Sequence, residues 1–368
     1  MIRFVSKQKP NKLKGVALLR LDFNTEDEWR MQVSLPTVRL LLRHAEKVIV
    51  LSHRGRPQGV EPKLSLRRDA RALERFLDHE VIFLPHFNWV EIQKKIKSAP
   101  RGSLFLLENL RFLPGEAKND FGLAKKLAGL GDYYVNDAFP VSHRQAASVV
   151  GITKFLPSFG GPELEREVKS LTRVMQNPKQ PLVCILGGGK AHDKLGIMKY
   201  FRRIADSFLM GGVAANSLVH VRGADVGKSR IDTDPHDLAE IKIISHYSNL
   251  YLPTDWRKRA RVILDVGSKT AKMYAQRIAK ARTILWNGPM GLIEEARFAQ
   301  GTLAVARAIL ANRKAYTVAG GGETIMFLKK HKLDQKFSFI STGGTAMFDF
   351  LAGEKLPGIA ALERSRGK

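Results

Sequence analysis

The 368-residue sequence contains a single cysteine, Cys184. One thiol cannot form a disulfide within the chain, and it cannot supply the paired cysteines of a zinc module, so both a disulfide-stapled fold and a cysteine-rich metal module are excluded. Because Cys184 lies inside the apolar run PLVCIL, we expect a buried, unreactive thiol rather than a nucleophile or a ligand.

Long apolar runs are also missing. No run approaches the roughly 18 apolar residues that a membrane-spanning helix needs. The basic N-terminus, residues 1–15, has no apolar region or small-residue cleavage site behind it, so the sequence predicts no secretion signal and a cytoplasmic protein. The 44% hydrophobic content is typical of a globular enzyme. The length allows roughly two domains of ordinary size.

Acidic residues are scarce. The 35 Asp and Glu stand against 61 Lys and Arg, which gives a formal net charge of +26. Such a charge attracts anions of any kind, and three explanations fit: a small phosphorylated substrate, nucleic acid, or a basic surface without a specific partner. The sequence has no zinc spacing, RNP-like motif or basic zipper, so we expect no specific nucleic-acid binding.

Short continuous apolar runs alternate with helical stretches along the chain. Runs of this kind form parallel strands buried on both faces, which predicts an α/β fold. A Gly-Gly-Pro start and a charged amphipathic run predict a helix at about 162–176 between two halves. In such sheets ligands bind outside the carboxyl ends of the strands. Polar residues and glycines collect at those predicted ends: Asp22, His53, Glu108, Asp137, Gly187, Gly211, Asp255, Asn287, Gly320 and Gly343.

In the first half, arginines lie near the predicted strand ends. A guanidinium binds phosphate or carboxylate with two parallel hydrogen bonds, while Asp22 and Asn24 can accept hydrogen bonds from a hydroxyl group. The predicted ligand is therefore small, polyanionic and hydroxylated. Each arginine alone fits a surface or ion-pair residue at least as well, and it is their recurrence at strand ends that favours a site. These arginines are Arg30, Arg56, Arg111 and Arg144.

In the second half, glycines and lysines take these positions. In LGGGKAHDK, residues 186–194, Lys190 and Lys194 are four apart, which predicts both ammonium groups on one face of a starting helix. Glycine backbone and lysine charge both suit phosphate oxygens. Asn287 ends a strand in WNGPMG, and Glu294 follows where it could meet ribose hydroxyls.

Two more glycine turns follow. Glu323 lies in AGGGET, residues 319–324, where Mg²⁺ carried by a nucleotide would accept an oxygen ligand; a carboxylate placed by the helix dipole is an equally good interpretation. In FISTGGTAMF, residues 339–348, Gly343 and Gly344 would let an anion approach main-chain N–H groups, or they simply form a tight strand-to-helix turn.

Taken together, these motifs resemble those of the phosphoglycerate kinase family in order and spacing, over nearly the whole chain. The motifs are RLDFN, SHRGRP, LLENLRF, VNDAF with a following HR, GGGK with DK, WNGPMG, GGGET and STGG.

The resemblance implies two Rossmann-like, three-layer α/β domains whose parallel sheets face each other across a cleft. It assigns residues 1–160 to a glycerate-binding domain, 161–177 to an interdomain helix, 178–348 to a nucleotide-binding domain and 349–368 to a segment that returns to the first domain. The implied protein is a monomer without a membrane or specific nucleic-acid partner. It would reversibly transfer the acyl phosphate of 1,3-bisphosphoglycerate to MgADP, giving 3-phosphoglycerate and ATP by in-line transfer after domain closure.

The resemblance also implies the role of each site residue. The glycerate site would comprise Asp22, Asn24, Arg30, His53, Arg56, Arg111 and Arg144. The nucleotide site would comprise Gly187, Gly188, Lys190, Lys194, Gly211, Gly212, Asn287, Glu294, Glu323 and Thr324, with Glu323 contacting the Mg²⁺ of ADP or ATP. The transferred phosphoryl group would be surrounded by Arg30, Lys190, Gly343 and Gly344.

The chain departs from the family pattern at a few positions. Glu323 stands where Asp is usual, and Thr345 and Met210 replace glycines. The segment after Asn24 is shortened, and the short stretch 256–264 predicts that a peripheral strand or hairpin is lost. Because no group that phosphoryl transfer requires is missing, an active enzyme is favoured over a non-catalytic member that binds polyanions.

Overall fold

A computed structural model describes residues 1–25 and 27–365 of the chain. The strands are β1 (Val16–Arg20), β2 (Lys47–Leu51), β3 (Val81–Leu84), β4 (Leu104–Leu107), β5 (Tyr133–Asn136), β6 (Ser158–Gly160), β7 (Leu182–Leu186), β8 (Ser207–Met210), β9 (Leu250–Tyr251), β10 (Trp256–Arg259), β11 (Val262–Val266), β12 (Thr283–Asn287), β13 (Tyr316–Gly320) and β14 (Phe339–Ile340). The helices are α1 (Trp29–His44), α2 (Arg67–Leu77), α3 (Trp89–Ser98), α4 (Pro114–Ala117), α5 (Phe121–Ala128), α6 (Pro162–Gln176), α7 (His192–Phe201), α8 (Gly212–Val221), α9 (Pro235–Ile244), α10 (Ser268–Ile278), α11 (Gln300–Ala311), α12 (Gly322–Lys330), α13 (Thr345–Leu351) and α14 (Pro357–Arg364).

The chain divides into two compact units. The first comprises the described residues of Met1–Val168 and Lys355–Lys368, and the second is Lys169–Glu354. Residues 349–354, which the resemblance assigns to the returning segment, therefore lie in the second unit. A close contact holds them there, because a Cβ on Gly196 of α7 would lie only 2.8 Å from the Cβ of Ala352. Only a side chain as small as glycine permits this approach.

The first unit is built on a six-stranded sheet in the order β3-β4-β2-β1-β5-β6, with every pair parallel. Strand β2 has the sequence KVIVL and is buried along its whole length, as expected for a strand with helices on both faces. The chain continues from β1 to one side of the sheet and later adds β5 and β6 on the other. This reversal next to β1 is where open parallel sheets form ligand crevices.

The second unit repeats this plan with the strand order β14-β13-β12-β7-β8-β9, again all parallel. Here the strand order reverses between β7 and β12. The α/β fold class with two parallel sheets, predicted from the short apolar runs, is confirmed.

Three strands escaped the sequence prediction. Strand β6 has only three residues and ends in glycine, so it shows no apolar run. Strands β10 and β11 form an antiparallel ribbon in the stretch 256–264, where the shortened sequence predicts that a strand or hairpin is lost. The stretch therefore keeps a hairpin, and the loss of a peripheral element relative to the family pattern stays a prediction. Strand β10 has the sequence WRKR and is mostly exposed, so it lacks the apolar run by which the other strands were predicted.

Helix α6 spans the residues predicted for it, and a buried carboxylate starts it. Asp137 Oδ1 accepts hydrogen bonds from the N–H groups of Glu163 (2.8 Å) and Leu164 (3.0 Å). These are first-turn N–H groups that have no partner within the helix. Burial raises the pKa of Asp137 to about 6. The end of β5 is thereby tied to the helix that leads into the second unit.

We expect Cys184 to resist thiol reagents in the native protein. The residue is fully buried at the centre of β7, and burial raises the pKa of its thiol above the ordinary value, so both access and thiolate formation are suppressed. Reaction with an aromatic disulfide reagent at pH 8 should release no thiolate chromophore from native protein and one equivalent from protein in guanidinium. Rapid labelling of the native protein at this cysteine would contradict the packing of β7.

Candidate active site

In the first unit, a histidine and two arginines meet at the carboxyl edge of the sheet. Asp22 follows β1, and its Oδ2 accepts a hydrogen bond from Arg30 Nη1 at 2.5 Å. His53 follows β2 and lies with Nδ1 3.8 Å from Asp22 Oδ1. Arg144 Nη1 is 3.0 Å from His53 Nε2. Parallel strands end at one edge, so residues far apart in sequence become neighbours.

His53 is held in its neutral form. Burial lowers the pKa of its imidazole well below the ordinary value, and the charges of Arg20, Arg111 and Arg144 lower it further. Both ring nitrogens face guanidinium groups, because Arg20 Nη2 lies 3.1 Å from Nδ1. A neutral imidazole accepts only one hydrogen bond. His53 can therefore accept a hydrogen bond from only one of the two arginines, Arg20 or Arg144.

Arg20 is the buried support of this cluster. It ends β1 with only 2% of its surface exposed. Its Nε donates to Ser148 Oγ at 2.9 Å, and its Nη1 donates to the carbonyl oxygen of Leu21. An unpaired buried charge would be strongly destabilising. These hydrogen bonds stabilise the buried guanidinium of Arg20 next to His53. The sequence pattern missed this residue, because Arg20 is the last residue of β1 itself, whereas the predicted site residues follow the apolar runs.

Asn24 and Arg111 hold the loop after β2 from opposite sides. Asn24 Oδ1 accepts a hydrogen bond from the N–H of Gly55 at 2.7 Å, and Arg111 Nη1 donates to the carbonyl oxygen of Gly55 at 2.7 Å. The Asn24 oxygen that was expected to receive a ligand hydroxyl thus has a backbone partner. Burial, with repulsion from neighbouring arginines, lowers the pKa of Arg111 to about 10.

Cations outnumber carboxylates at this edge. Burial lowers the pKa of Arg144, and repulsion from Arg20, Arg56 and Arg30 contributes, with Asp22 acting in the opposite direction. Arg56 itself is exposed. A group of guanidiniums that lower one another's pKa is stabilised by an added polyanion. The structure therefore brings together the predicted glycerate-site residues into a basic site.

In the second unit, two glycine turns meet where β7 and β12 end. The N–H of Gly188 donates to the carbonyl oxygen of Pro289 at 2.8 Å. The N–H of Gly187 donates to the main-chain carbonyl oxygen of Asn287 at 2.9 Å. Gly288 has φ +87°, and a Cβ there would lie 2.2 Å from the carbonyl oxygen of Gly187. A side chain would fit neither this conformation nor this contact.

A third glycine completes the same wall. Gly212 begins α8 with φ +57°, and a Cβ on it would lie 2.4 Å from the carbonyl oxygen of Gly188. Gly211 packs against Met290 in the same way. Gly187 and Gly211 therefore support the turns by close packing, whereas Gly188 and Gly212 also line cavities.

Lys194 is the buried cation of this site. Its Nζ donates to Asn287 Oδ1 at 2.6 Å and lies 4.2 Å from the ring centroid of Phe348. Burial lowers its pKa to about 8. Asn287 Nδ2 is buried without a partner among the described residues, so it remains a donor for a ligand.

Lys190 differs from the prediction. Helix α7 begins at His192, so Lys190 precedes the helix, and the two lysines do not share one helical face. Lys190 is exposed, while Lys194 is buried. Both nevertheless line the same cavity. The glycine turn after β7 continues to Lys190 and delays the helix start, which the four-residue spacing could not reveal.

Two adjoining cavities occupy this edge of the second unit. One, of about 310 Å³, has mainly apolar walls that include Trp256, Leu264 and Leu292, with Glu294 also in its wall. The other, of about 360 Å³, is lined by Lys190, Lys194, Asn287, Thr324 and Gly344 among others. Gly188, Gly189, Arg230 and Glu323 line both.

The residues of the last two glycine turns have distinct positions. Glu323 is exposed in the first turn of α12. Thr324 is buried, and its Oγ1 accepts a hydrogen bond from the N–H of Gly288 at 2.8 Å. The N–H of Gly343 already donates to Ser341 Oγ at 3.1 Å. Of the two expected anion contacts in this turn, only Gly344 lies in the cavity wall.

The two residues that stand in place of family glycines, Met210 and Thr345, lie in different surroundings. Met210 ends β8 fully buried, and its carbonyl oxygen accepts a hydrogen bond from Tyr274 Oη at 2.7 Å. Thr345 is exposed at the start of α13 and lines the cavity beside Gly344. Neither side chain occupies the space at Gly188 and Gly212.

The sequence patterns missed several residues of the cavity walls. Asn216 lies inside α8, Trp256 on the unpredicted ribbon, and Asp265 within β11. Arg230 lies in the loop before α9. None of them is itself the polar residue or glycine at the carboxyl end of a predicted parallel strand, which was the signal used to find site residues.

Within residues 1–25 and 27–365, no group of three or more His, Cys, Asp and Glu side chains could hold a metal ion. In the same residues, no helix has the length and apolar character needed to cross a membrane.

The protein thus comprises two α/β units, with a cluster of arginines at the carboxyl edge of one parallel sheet and glycine-walled cavities at that of the other. A sequence model of the family described as phosphoglycerate kinase matches residues 13–354. The chain belongs to the phosphoglycerate kinase family.

Individual relatives agree with this assignment. The phosphoglycerate kinase of Dictyoglomus turgidum is 36% identical over 381 residues, covering 95% of this chain and 96% of that protein. A phosphoglycerate kinase of Thermus thermophilus is 38% identical over 377 residues, covering 94% and 96%. The solved phosphoglycerate kinase from Coxiella burnetii has a TM-score of 0.85 at 32% identity and covers 100% of both chains. That from Pyrococcus horikoshii has a TM-score of 0.84 at 31% identity and covers 99% of both.

We expect Lys194 to make nucleotide binding sensitive to pH, because it is a buried cation in the wall of a cavity. Its pKa of about 8 means that the free protein carries this charge below pH 8 and loses it as the pH rises. Above pH 8, an anionic ligand must bind the neutral lysine or restore its proton. We expect the Kd for ADP to rise about tenfold between pH 7 and pH 9, with proton uptake on binding, measured by calorimetry in two buffers. Lys194→Arg should bind with little pH dependence, and a flat profile for the wild type would contradict a titrating Lys194.

Proposed function

We propose that the protein catalyses reversible phosphoryl transfer from 1,3-bisphosphoglycerate to ADP, giving 3-phosphoglycerate and ATP. The observation that carries this proposal is the concentration of arginines around neutral His53, with Asp22 as the nearby hydrogen-bond acceptor. A small ligand with phosphate, carboxylate and hydroxyl groups satisfies such a set, whereas a neutral ligand leaves the guanidiniums repelling one another.

Phosphoryl transfer suits a site of this kind. The reaction needs in-line positioning and stabilisation of charge on three equatorial oxygens, and it requires no nucleophilic side chain. The basic edge of the first unit and the lysine- and glycine-lined cavity of the second supply charge and main-chain donors. We propose that Arg30, Lys190, Gly343 and Gly344 act on the transferred group, with Gly344 the stronger candidate of the two glycines because it lines the cavity.

The nucleotide is proposed to occupy the two adjoining cavities of the second unit. The apolar cavity suits a base, with Glu294 in its wall where a carboxylate can accept hydrogen bonds from ribose hydroxyls. The cavity with Lys190 and Lys194 suits the phosphates. Mg²⁺ would enter with ADP or ATP, and Glu323 is positioned to supply it with a carboxylate oxygen because it lines both cavities. We further propose that the enzyme acts as a monomer, as the family resemblance implies.

Arg30 provides the main kinetic test. Its Nη1 donates to Asp22 Oδ2, and its side chain is 20% exposed at the carboxyl edge of the sheet, so the guanidinium can meet a charge that develops on a bound ligand. An interaction made only in the transition state lowers kcat more than substrate binding when it is removed. In a coupled assay of 3-phosphoglycerate-dependent ATP consumption, we expect Arg30→Ala to lower kcat by about 10³-fold with little change in the KM for ATP.

Two matched variants check this assignment. Arg30→Lys should recover only part of the rate, because one ammonium cannot reproduce the planar guanidinium. Arg111→Ala should chiefly raise the KM for 3-phosphoglycerate. If Arg30→Ala keeps more than about a tenth of the wild-type kcat, Arg30 belongs only to the basic lining. Absence of wild-type activity with both substrates would refute the proposed reaction itself.

Glu323 tests the metal-nucleotide role against a helix-dipole role. We expect Glu323→Gln to raise the KM for MgATP about tenfold. Its melting temperature should stay within about 3 °C of the wild type, since an exposed first-turn carboxylate contributes little to stability. Glu91→Gln is the control, because Glu91 is an exposed first-turn carboxylate on α3 outside the cavities. A large loss of stability in Glu323→Gln with normal kinetics would favour the helix-dipole role.

A further inference from the structure

Arg230 lies in a loop that the structure holds at three points. Its own carbonyl oxygen accepts a hydrogen bond from Asn216 Nδ2 at 3.2 Å. On one side, Ser229 Oγ accepts from the N–H of Ile263 on β11 at 2.8 Å. On the other, the N–H of Asp232 donates to Ser217 Oγ on α8 at 2.9 Å. The backbone that carries Arg230 is therefore anchored to both the ribbon and α8.

The side chain of Arg230 has no partner among the residues that the structure describes. It is exposed, and its guanidinium makes no hydrogen bond or ion pair with any residue of 1–25 and 27–365. This is notable because other exposed arginines nearby are paired: Arg259 with Glu295 and Arg261 with Asp225. Surface ion pairs thus form in this part of the unit, and the Arg230 guanidinium takes part in none of them.

Arg230 also lies at the junction of the two cavities. It is one of few residues that line both of them, together with Gly188, Gly189 and Glu323. If the apolar cavity holds the base and ribose and the other holds the terminal phosphates, the shared wall is where the phosphate chain leaves the ribose. Among these four residues, Arg230 is the only cation.

We propose that the Arg230 guanidinium binds the nucleotide phosphates nearest the ribose. The inference rests on the proposed function, since it takes the two cavities as the nucleotide site. A planar guanidinium can donate two parallel hydrogen bonds to phosphate oxygens. Because the group is exposed and unpaired in the free protein, binding breaks no internal ion pair. Arg230 then complements Lys190 and Lys194, which line the cavity of the terminal phosphates.

Lys228 distinguishes a direct contact from the general charge of the protein. It lies two residues before Arg230 in the same loop, is exposed, and lines neither cavity. Lys228→Gln and Arg230→Gln each remove one positive charge from nearly the same place. A long-range field would respond similarly to both changes, whereas a hydrogen-bonded contact is lost only with Arg230.

The experiment is calorimetric titration of the full-length protein with adenosine, AMP, ADP and ATP at pH 7. We expect Arg230→Gln to raise the Kd for AMP, ADP and ATP by about the same factor, roughly tenfold. The Kd for adenosine should not change, and Lys228→Gln should behave like the wild type with all four ligands. Arg230→Lys should lie between the wild type and Arg230→Gln.

Several outcomes would overturn the inference. An equal loss for adenosine would place the contact on the base or ribose, and a loss for ATP alone would place it on the terminal phosphate. Equal effects of Lys228→Gln and Arg230→Gln would show only a general field. If the wild type binds ATP and Arg230→Gln binds it equally well, this inference alone fails. If the wild type binds no nucleotide, the proposed function fails with it.

Discussion

The second unit depends on the close approach of two glycine turns. At the ends of β7 and β12, backbone packs directly on backbone, with the Gly188 N–H bonded to the carbonyl oxygen of Pro289. This contact sets Asn287 beside Lys194 and brings Gly212 against the same wall. Any side chain at the contact would separate the strands' ends, and the two cavities would lose the wall they share. The ligand space of this unit is therefore a consequence of absent side chains.

The first unit also places its candidate site at the carboxyl edge of a parallel sheet, but it uses charged side chains where the second unit uses bare backbone. Its edge carries long charged side chains, and buried Arg20 supports them from below. Burial first, and repulsion between neighbouring cations second, lower the pKa values of His53, Arg111 and Arg144, so holding these groups together costs free energy. An anionic ligand relieves this repulsion. The unfavourable charge interactions of the free protein thus favour an anionic ligand over a neutral one. This agrees with the proposed glycerate site at this edge.

Elements with a strong local signal could be predicted from the sequence. Buried strands such as β2 and β7 are continuous apolar runs, and α6 has a clear start and an amphipathic body. Site residues that follow these strands, such as Asp22, His53 and Asn287, were found for the same reason. The ribbon β10–β11 was missed because β10 is basic and exposed, because β11 is fully buried only at its last two residues, and because the two strands pair with each other across a turn.

The sequence by itself determined the α/β class, the family, and the residue types at the strand ends, because these depend on local periodicity and on motifs read in order. Only the tertiary structure decided which of those residues line the same cavity or contact one another. It showed that Lys190 precedes its helix, that the Gly343 N–H is already bonded, and that Arg20 supports His53. It also brought Arg230 to the junction of two cavities. Such neighbours are set by strand order and close packing, which join residues far apart in the chain and leave no local pattern in it.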